Sequence, residues 1–443
     1  MPLATLSPFL PTLHNNLVQA LRMLLGVPAA ISLRIRDQAP MLESGLRLAV
    51  VIGADQPLTL RLIDQANGRL WWRCDAFAVE HAGVAAARDR DLLAAILKRL
   101  NHMRDTPTEP VLATAVTALN VWRQWRAVPE GELLTVNERE VLIRLLFRCN
   151  QDCSFCWQDR DWPTLPLEVV TLWIQQAKAQ GVTRLTLSGG EPTLHPDLPA
   201  LMRMATGLGL AVSLQTNAIR LGQSLQLLTE LQACGLRSVA ISYHSPDAAR
   251  SDAMTNAPTT HRKTEAGIAA CLKAGVRVTL NCVIDLRNMA ELPVHAAAIL
   301  HRFGPLMRKF GDLSVSYSHP TAAFDEEEYR KNLAPLDLVQ PLLTVALRML
   351  NDSGVFATAT GDCGFPLCVL RQVPEFIPRR SHTDRRQGRS SSAICQNCAL
   401  IDSCVGPRTT YAAAVGERGL VPFAESPATI GSKVPHSTEA WWS

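Results

Sequence analysis

From Val136 to Tyr317 the apolar positions keep changing period. Short runs dense in Val, Leu and Ile predict strands at Val141–Phe147, Thr183–Leu187, Ala211–Gln215, Ser238–Tyr243, Val276–Ile284 and Leu313–Tyr317. Longer stretches between them, with apolar residues three and four apart, predict helices at Leu167–Gln180, Leu198–Leu208, Ser224–Gly235, His261–Ala274 and Met289–Phe303. Parallel strands need helical crossovers, so this alternation predicts an α/β fold whose parallel sheet curves into a partial, TIM-like (β/α)6 barrel. In such barrels the active site gathers at the C-terminal strand ends.

The flanks read differently. Residues 1–135 form the first expected domain, an N-terminal α+β accessory module. It has an amphipathic helix around Leu13–Leu25, alternating stretches at Ala30–Arg36, Leu46–Ile52, Leu58–Ile63 and Leu70–Ala76, and helices near Asp91–Met103 and Val111–Trp125. It holds no catalytic motif, and Trp71, Trp72, Trp122 and Trp125 read as core. The barrel is expected over residues 136–335. Residues 336–443, opening with a helix at Leu336–Leu350, form a cysteine-rich C-terminal extension and tail.

Composition narrows the classes. Of 443 residues, 47% are hydrophobic and 19% charged, which permits a sizeable core and excludes wholesale disorder. The formal charge of +4 comes from 44 basic and 40 acidic residues, too balanced for nucleic acid to be the expected partner. No run approaches the ~18 apolar residues of a membrane span. The start Met1-Pro2-Leu3-Ala4 lacks the basic region of a signal peptide. Eight of the twelve cysteines fall in two groups, as metal ligands do, and a reducing cytoplasm suits them.

The first group is Cys149-x3-Cys153-x2-Cys156, directly after the first barrel strand. Three thiolates in one tight loop suit three irons of a [4Fe–4S] cube and leave the fourth iron open. Structural zinc sites usually take four protein ligands, which this loop does not offer. The spacing, with Phe155 just before the last cysteine, resembles the radical S-adenosylmethionine (radical SAM) superfamily. In that family SAM chelates the open iron, and an electron from the cluster cleaves the sulfonium to give a 5′-deoxyadenosyl radical.

The loop after the second strand, Ser188-Gly189-Gly190-Glu191-Pro192, matches the family element that holds the SAM amino group. Its glycines allow a sharp turn and close approach to a ligand, and Glu191 can pair with a cationic group. Thr216 and Asn217 end the third strand, Ser242 the fourth, and Asn281 lies in the fifth. The resemblance implies that Phe155, Gly189, Gly190, Glu191, Thr216, Asn217, Ser242 and Asn281 bind cofactor. Ser242 and Asn281 match positions that contact the SAM ribose and carboxylate. No catalytic side chain is named by the sequence. His195 and His244 read as solvent-facing loop residues, and Cys74, Cys234, Cys271 and Cys282 as isolated thiols, Cys234 and Cys271 in the core.

The second group is Cys363-x4-Cys368 followed by Cys395-x2-Cys398-x5-Cys404. With Gly406 and Tyr411 downstream it resembles the SPASM and twitch extensions of radical SAM enzymes, which hold auxiliary Fe–S clusters. The full SPASM pattern has a further cysteine where Arg408 stands, so the resemblance implies one auxiliary [4Fe–4S] cluster, with zinc as the alternative.

The basic, serine-rich stretch Arg379–Arg389 reads as a solvated loop, with docking of an acidic peptide or phosphate as the alternative. By resemblance the expected activity is radical modification of a ribosomally made peptide, a crosslink or oxidation. The electron would come from an external donor such as flavodoxin or ferredoxin. The alternative is a dehydrogenase or rearrangement enzyme acting on a small molecule. Peptide-modifying relatives often carry an N-terminal leader-binding domain, but the element order of residues 1–135 does not match that winged-helix module.

Overall fold

The computed structural model describes residues 139–434 apart from 159, 161, 321–325, 361–362 and 378–391. Before residue 139 it describes five strands and helical residues within 18–25 and 95–98. Residues 7–130 form one compact unit and residues 131–443 fall in another.

In the first unit, β1 (Leu33–Asp37), β2 (Arg47–Ile52), β3 (Leu58–Gln65) and β4 (Arg69–Cys74) form an antiparallel meander in sequence order. These are the four alternating stretches expected. Ala20, Leu21 and Leu25 of the first expected helix are buried, as is Ile96 of the second. The helix at 111–125, the four tryptophan side chains named above, and the basic stretch 379–389 lie outside the described residues.

The second unit is built on one eight-stranded sheet. Its strands are β5 (Leu134–Val136), β6 (Glu140–Leu146), β7 (Arg184–Gly189), β8 (Ala211–Thr216), β9 (Leu236–Ser242), β10 (Arg277–Val283), β11 (Leu313–Ser318) and β12 (Phe356–Thr358). They lie side by side in sequence order; only the β5–β6 pairing is antiparallel. All six expected barrel strands are present. The sheet adds short edge strands at both ends that periodicity could not show, because three residues carry no period.

Crossover helices α1 (Leu167–Ala179), α2 (Leu198–Gly207), α3 (Ile219–Gln223), α4 (Leu225–Ala233), α5 (Ala248–Thr255), α6 (His261–Lys273), α7 (Leu292–Arg302) and α8 (Gly304–Phe310) return the chain to successive strands. Each longer helix buries one stripe; in α1 it is Val170, Trp173, Ile174 and Ala177, spaced as a 3.6-residue period requires. Ser224 caps α4 by accepting from the Leu227 N–H at 3.1 Å.

Strand alternation divides the sheet into two chemistries. Val141, Ile143, Leu185, Leu187, Val212, Leu214, Val239, Ile241, Val278 and Leu280 are buried, each contributing roughly 2 kcal/mol through lost apolar exposure. The opposite face is polar and cross-linked between neighbours. Thr186 Oγ1 donates to Glu140 at 2.5 Å, Ser188 Oγ to Gln215 at 2.8 Å, and Ser318 Oγ to Asn281 Oδ1 at 2.6 Å; Ser213 pairs with Ser238 at 2.6 Å and Thr279 with Ser314 at 2.9 Å.

Beyond β11, α9 (Glu326–Asn332) leads to α10 (Leu336–Asp352), whose stripe Val339, Leu343, Ala346, Leu347 and Leu350 is buried and which packs on α7. Short turns then lead to α11 (Thr409–Val415). Tyr411 in α11 is buried; its hydroxyl donates to the Arg418 carbonyl at 2.7 Å and accepts from the Leu336 N–H at 3.1 Å, fastening the extension to the start of α10.

Candidate active site

The segments that follow the C-terminal ends of β7, β8 and β9 meet the loop after β6 that carries Cys149, Cys153 and Cys156. Two neighbours hold this loop. On one side the glycine loop after β7 lies against it: the Gly190 N–H donates to the Leu146 carbonyl at 2.7 Å and the Glu191 N–H to the Arg148 carbonyl at 3.1 Å. A Cβ on Gly189 would collide with the Leu146 carbonyl oxygen, and one on Gly190 with the carbonyls of Phe147 and Arg148. Gly189 also has φ +133°, which side chains rarely adopt. The close approach that these glycines permit is therefore to the cysteine loop itself.

On the other side, the end of α5 clamps the loop. The Asp152 N–H donates to Thr255 O at 2.8 Å, the Ser154 N–H to Met254 O at 3.2 Å, and Asn256 Nδ2 to Asp152 O at 2.9 Å. Asn256 stands in the left-handed region at φ 45°, the residue type that tolerates a helix C-terminus of this kind. Residues 254–256 were missed by the sequence reading, and an asparagine after a short helical stretch was the signal that could have found them. Arg160 adds an ion pair to Asp152 at 3.0 Å.

Glu191 is buried without exposure. Its Oε1 accepts from the Thr193 N–H (3.1 Å), the Thr193 hydroxyl (2.6 Å) and the Thr216 hydroxyl (2.7 Å); Oε2 accepts from the Asn217 N–H (2.8 Å). Burial pushes its carboxyl above the usual carboxylate range, against the opposing pull of these donors. Its four donors make Glu191 a brace between the β7 and β8 loops. Asn217 is committed as well, with Nδ2 on Asn150 Oδ1 at 2.6 Å and near Cys149 Sγ at 3.9 Å.

The expected cofactor residues thus divide in two. Glu191, Thr216 and Asn217 form one internal network behind the first cysteine. Phe155, Ser242 and Asn281 stand apart from it, at the ends of β9 and β10: Ser242 is the register partner of Asn281, and Phe155 meets the His244 ring edge-on at 4.8 Å. Both histidines expected at solvent are buried instead, His195 at 5% exposure and His244 at 2%. The His195 ring folds back to accept from the Asp197 N–H at 3.2 Å, and His244 lies beneath Phe155. Cys234, Cys271 and Cys282 are core thiols.

The three thiols suit a cationic cluster. Burial pushes the Cys149 and Cys153 thiols up, and in both the neighbouring cysteines add to the rise. Buried thiolates that repel one another are stabilised by a cation held between them, and cluster irons are such a partner. The Gln151 N–H already points at Cys149 Sγ, 3.4 Å away.

The second cysteine group forms a separate site. Cys368, Cys395, Cys398 and Cys404 line one cavity of about 180 Å³, closed by Pro366, Leu367, Ile401 and Val405 among others. Backbone amides are aimed at the sulfurs: the N–H groups of Leu367 and Gly406 donate to Cys404 Sγ, both at 3.3 Å, and that of Phe423 to Cys398 Sγ at 3.4 Å. Burial raises the Cys368 thiol to about 12, and the other three sulfurs add to the rise.

Cys363 does not line this cavity. It is exposed, its carbonyl accepts from the His319 N–H at 2.8 Å, and its thiol lies beside the Arg408 guanidinium. Among the described residues no three Cys, His, Asp or Glu side chains converge on one point that would hold a single metal ion. Four thiols around a cavity of this size suit a polynuclear cluster better than zinc, whose sulfurs sit ~2.3 Å from one centre.

Residues 143–297 match the family model of the radical SAM superfamily. Among curated proteins, the PqqA peptide cyclase of Xanthomonas campestris pv. campestris is 35% identical over 157 residues, covering 34% of this chain and 41% of the relative. That of Xanthomonas euvesicatoria pv. vesicatoria is 34% identical over 157 residues and is covered to 42%. The match therefore spans about two fifths of these relatives' length.

Among solved structures, Streptococcus suis SuiB bound to S-adenosylmethionine aligns at TM-score 0.46 and 13% identity, covering 79% of this chain and 92% of that one. Native anSMEcpe with bound AdoMet and Kp18Cys peptide aligns at TM-score 0.36 and 17% identity, covering 49% and 63%.

Proposed function

We propose, from the match of residues 143–297 to the radical SAM superfamily model, that the chain is an enzyme that modifies a ribosomally made peptide by SAM-dependent radical chemistry. The observation that carries the reading is the half-buried three-cysteine loop at the C-terminal ends of the strands, clamped from both sides. Cys149, Cys153 and Cys156 hold the [4Fe–4S] cluster at which SAM binds. When bound, these groups supply an electron and the 5′-deoxyadenosyl radical it releases from SAM.

The protein's own residues position and seal. The glycine loop and residues 254–256 fix the cysteines, Glu191 ties the β7 loop to the β8 loop, and Ser242 and Asn281 offer hydroxyl and amide to the SAM ribose and carboxylate. Cys368, Cys395, Cys398 and Cys404 hold one auxiliary [4Fe–4S] cluster.

A peptide substrate is supported by the relatives named as peptide cyclases and by an additional unit, residues 7–130, that a small metabolite would not require. Reducing equivalents come from a flavodoxin or ferredoxin, and a reducing cytoplasm suits the eleven free cysteines of the described residues. No helix among those residues is long and apolar enough to cross a membrane.

The test is to incubate reduced, reconstituted enzyme and SAM with short peptides encoded beside its gene, and separately with candidate sugars and amino alcohols. A peptide product lighter by two hydrogens, formed only when residues 1–135 are present, is the expected result. Turnover of a free metabolite, undiminished without residues 1–135, would refute the peptide assignment.

A further inference from the structure

His244 carries a hydrogen-bonding group for which the fold gives no use. It is 2% exposed, yet Nε2 finds no partner among the described residues. The rest of the residue is held closely. Its carbonyl accepts from Asn288 Nδ2 at 2.9 Å, and Nδ1 accepts from the Val283 N–H at 3.2 Å. A ring that accepts at Nδ1 carries its proton on Nε2, so the unsatisfied atom is a donor. A buried donor without an acceptor costs about 1–3 kcal/mol, and in a native protein such a group calls for an explanation.

Position supplies one. β9 ends at Ser242, and His244 stands two residues beyond it at the C-terminal rim of the sheet, while Tyr243 between them stacks on His261 and lies tilted against the His295 ring. The His244 ring also meets Phe155 of the cysteine loop edge-on. The internal network of Glu191, Thr216 and Asn217 lies at the other end of that loop, beside Cys149. If the methionine end of SAM lies beside the glycine loop, then its nucleoside lies on the β9–β10 side, where Ser242, Asn281 and His244 are.

We propose that His244 is a positioning residue whose Nε2–H donates to a ring nitrogen of the SAM adenine, so that the orphaned donor becomes satisfied only when SAM is bound. This rests on the radical SAM reading of the domain. A donor fixed in advance by Val283 and Asn288 loses little freedom on binding and selects an acceptor at one place on the base.

The test measures binding rather than turnover. Reconstituted full-length protein is titrated calorimetrically with SAM and with three analogues in which adenine N1, N3 or N7 is replaced by C–H. The wild type should bind one of the analogues about tenfold more weakly than SAM, the value of one net hydrogen bond. That discrimination should vanish in His244→Phe, which keeps the contact with Phe155 but removes the donor. It should persist in His244→Gln, whose amide reaches the position of Nε2. Because His244→Phe also strands the Val283 N–H, the discrimination factor decides, and not the absolute affinity.

Wild-type protein that binds SAM and all three analogues equally overturns the proposal, whether or not the variants fold. So does discrimination that survives in His244→Phe. Wild-type protein that binds no SAM at all overturns the domain reading, and this inference with it.

Discussion

Replacing Glu191 with alanine should destabilise the fold before any ligand is present. The substitution strands the backbone N–H groups of Thr193 and Asn217, both buried and both hydrogen-bonded to the Glu191 carboxylate, while the Thr193 and Thr216 hydroxyls can rotate toward alternatives. Two stranded buried amides at about 1–3 kcal/mol each give a loss on the order of 4 kcal/mol. Glutamine should cost far less, on the order of 1 kcal/mol. Its carbonyl can replace Oε1 and keep three of the four donors, and although its amide opposes the Asn217 N–H, the burial of a charge is relieved.

The assay is urea unfolding of the cluster-free, SAM-free chain, comparing wild type, Glu191→Ala and Glu191→Gln. If both variants unfolded within 0.5 kcal/mol of wild type while the reconstituted variants lost SAM binding, the carboxylate would be a ligand held in reserve and the brace argument would be wrong.

The two cysteine sets separate by metal content. Anaerobically reconstituted wild type and Cys363→Ala should both carry roughly eight irons per chain, and Cys368→Ala roughly four; a loss of four irons in Cys363→Ala would return that residue to the ligand set. His295, fully buried between the Tyr317 hydroxyl and the Tyr243 carbonyl, has its imidazole pushed down to about 4 by burial. The folded state therefore binds its proton less readily than the unfolded chain, and the stability this group contributes is present above about pH 6.5 and lost as pH falls through 4. Urea unfolding at pH 7 and pH 4.5 should show a fall smaller in His295→Gln than in wild type by on the order of 2 kcal/mol; equal falls would exclude His295 as a source of acid sensitivity.

Much of this molecule was legible in the chain itself. The strands β6 to β11 announce themselves because each needs one apolar face for the helices, and their order in the sheet follows the tendency of strands joined by one helical crossover to lie side by side. The cysteine loop was legible because ligand spacing is local: Cys149, Cys153 and Cys156 lie within one turn of backbone, so sequence distance is already spatial distance.

What depends on distant segments meeting was decided only by the tertiary structure. Spacing alone grouped Cys363 with Cys368. The fold turns Cys363 toward Arg408 and closes the cavity with Cys368 beside three thiols some thirty residues later. Glu191 in a glycine-rich loop looked like a hand held out to a ligand, and only the arrival of Thr216 and Asn217 from the next strand shows that both its oxygens are engaged. His244 looked like a solvent-facing loop residue for the same reason. Burial is a property of what packs around a residue, and Phe155, which covers it, comes from a strand end three crossovers earlier in the chain.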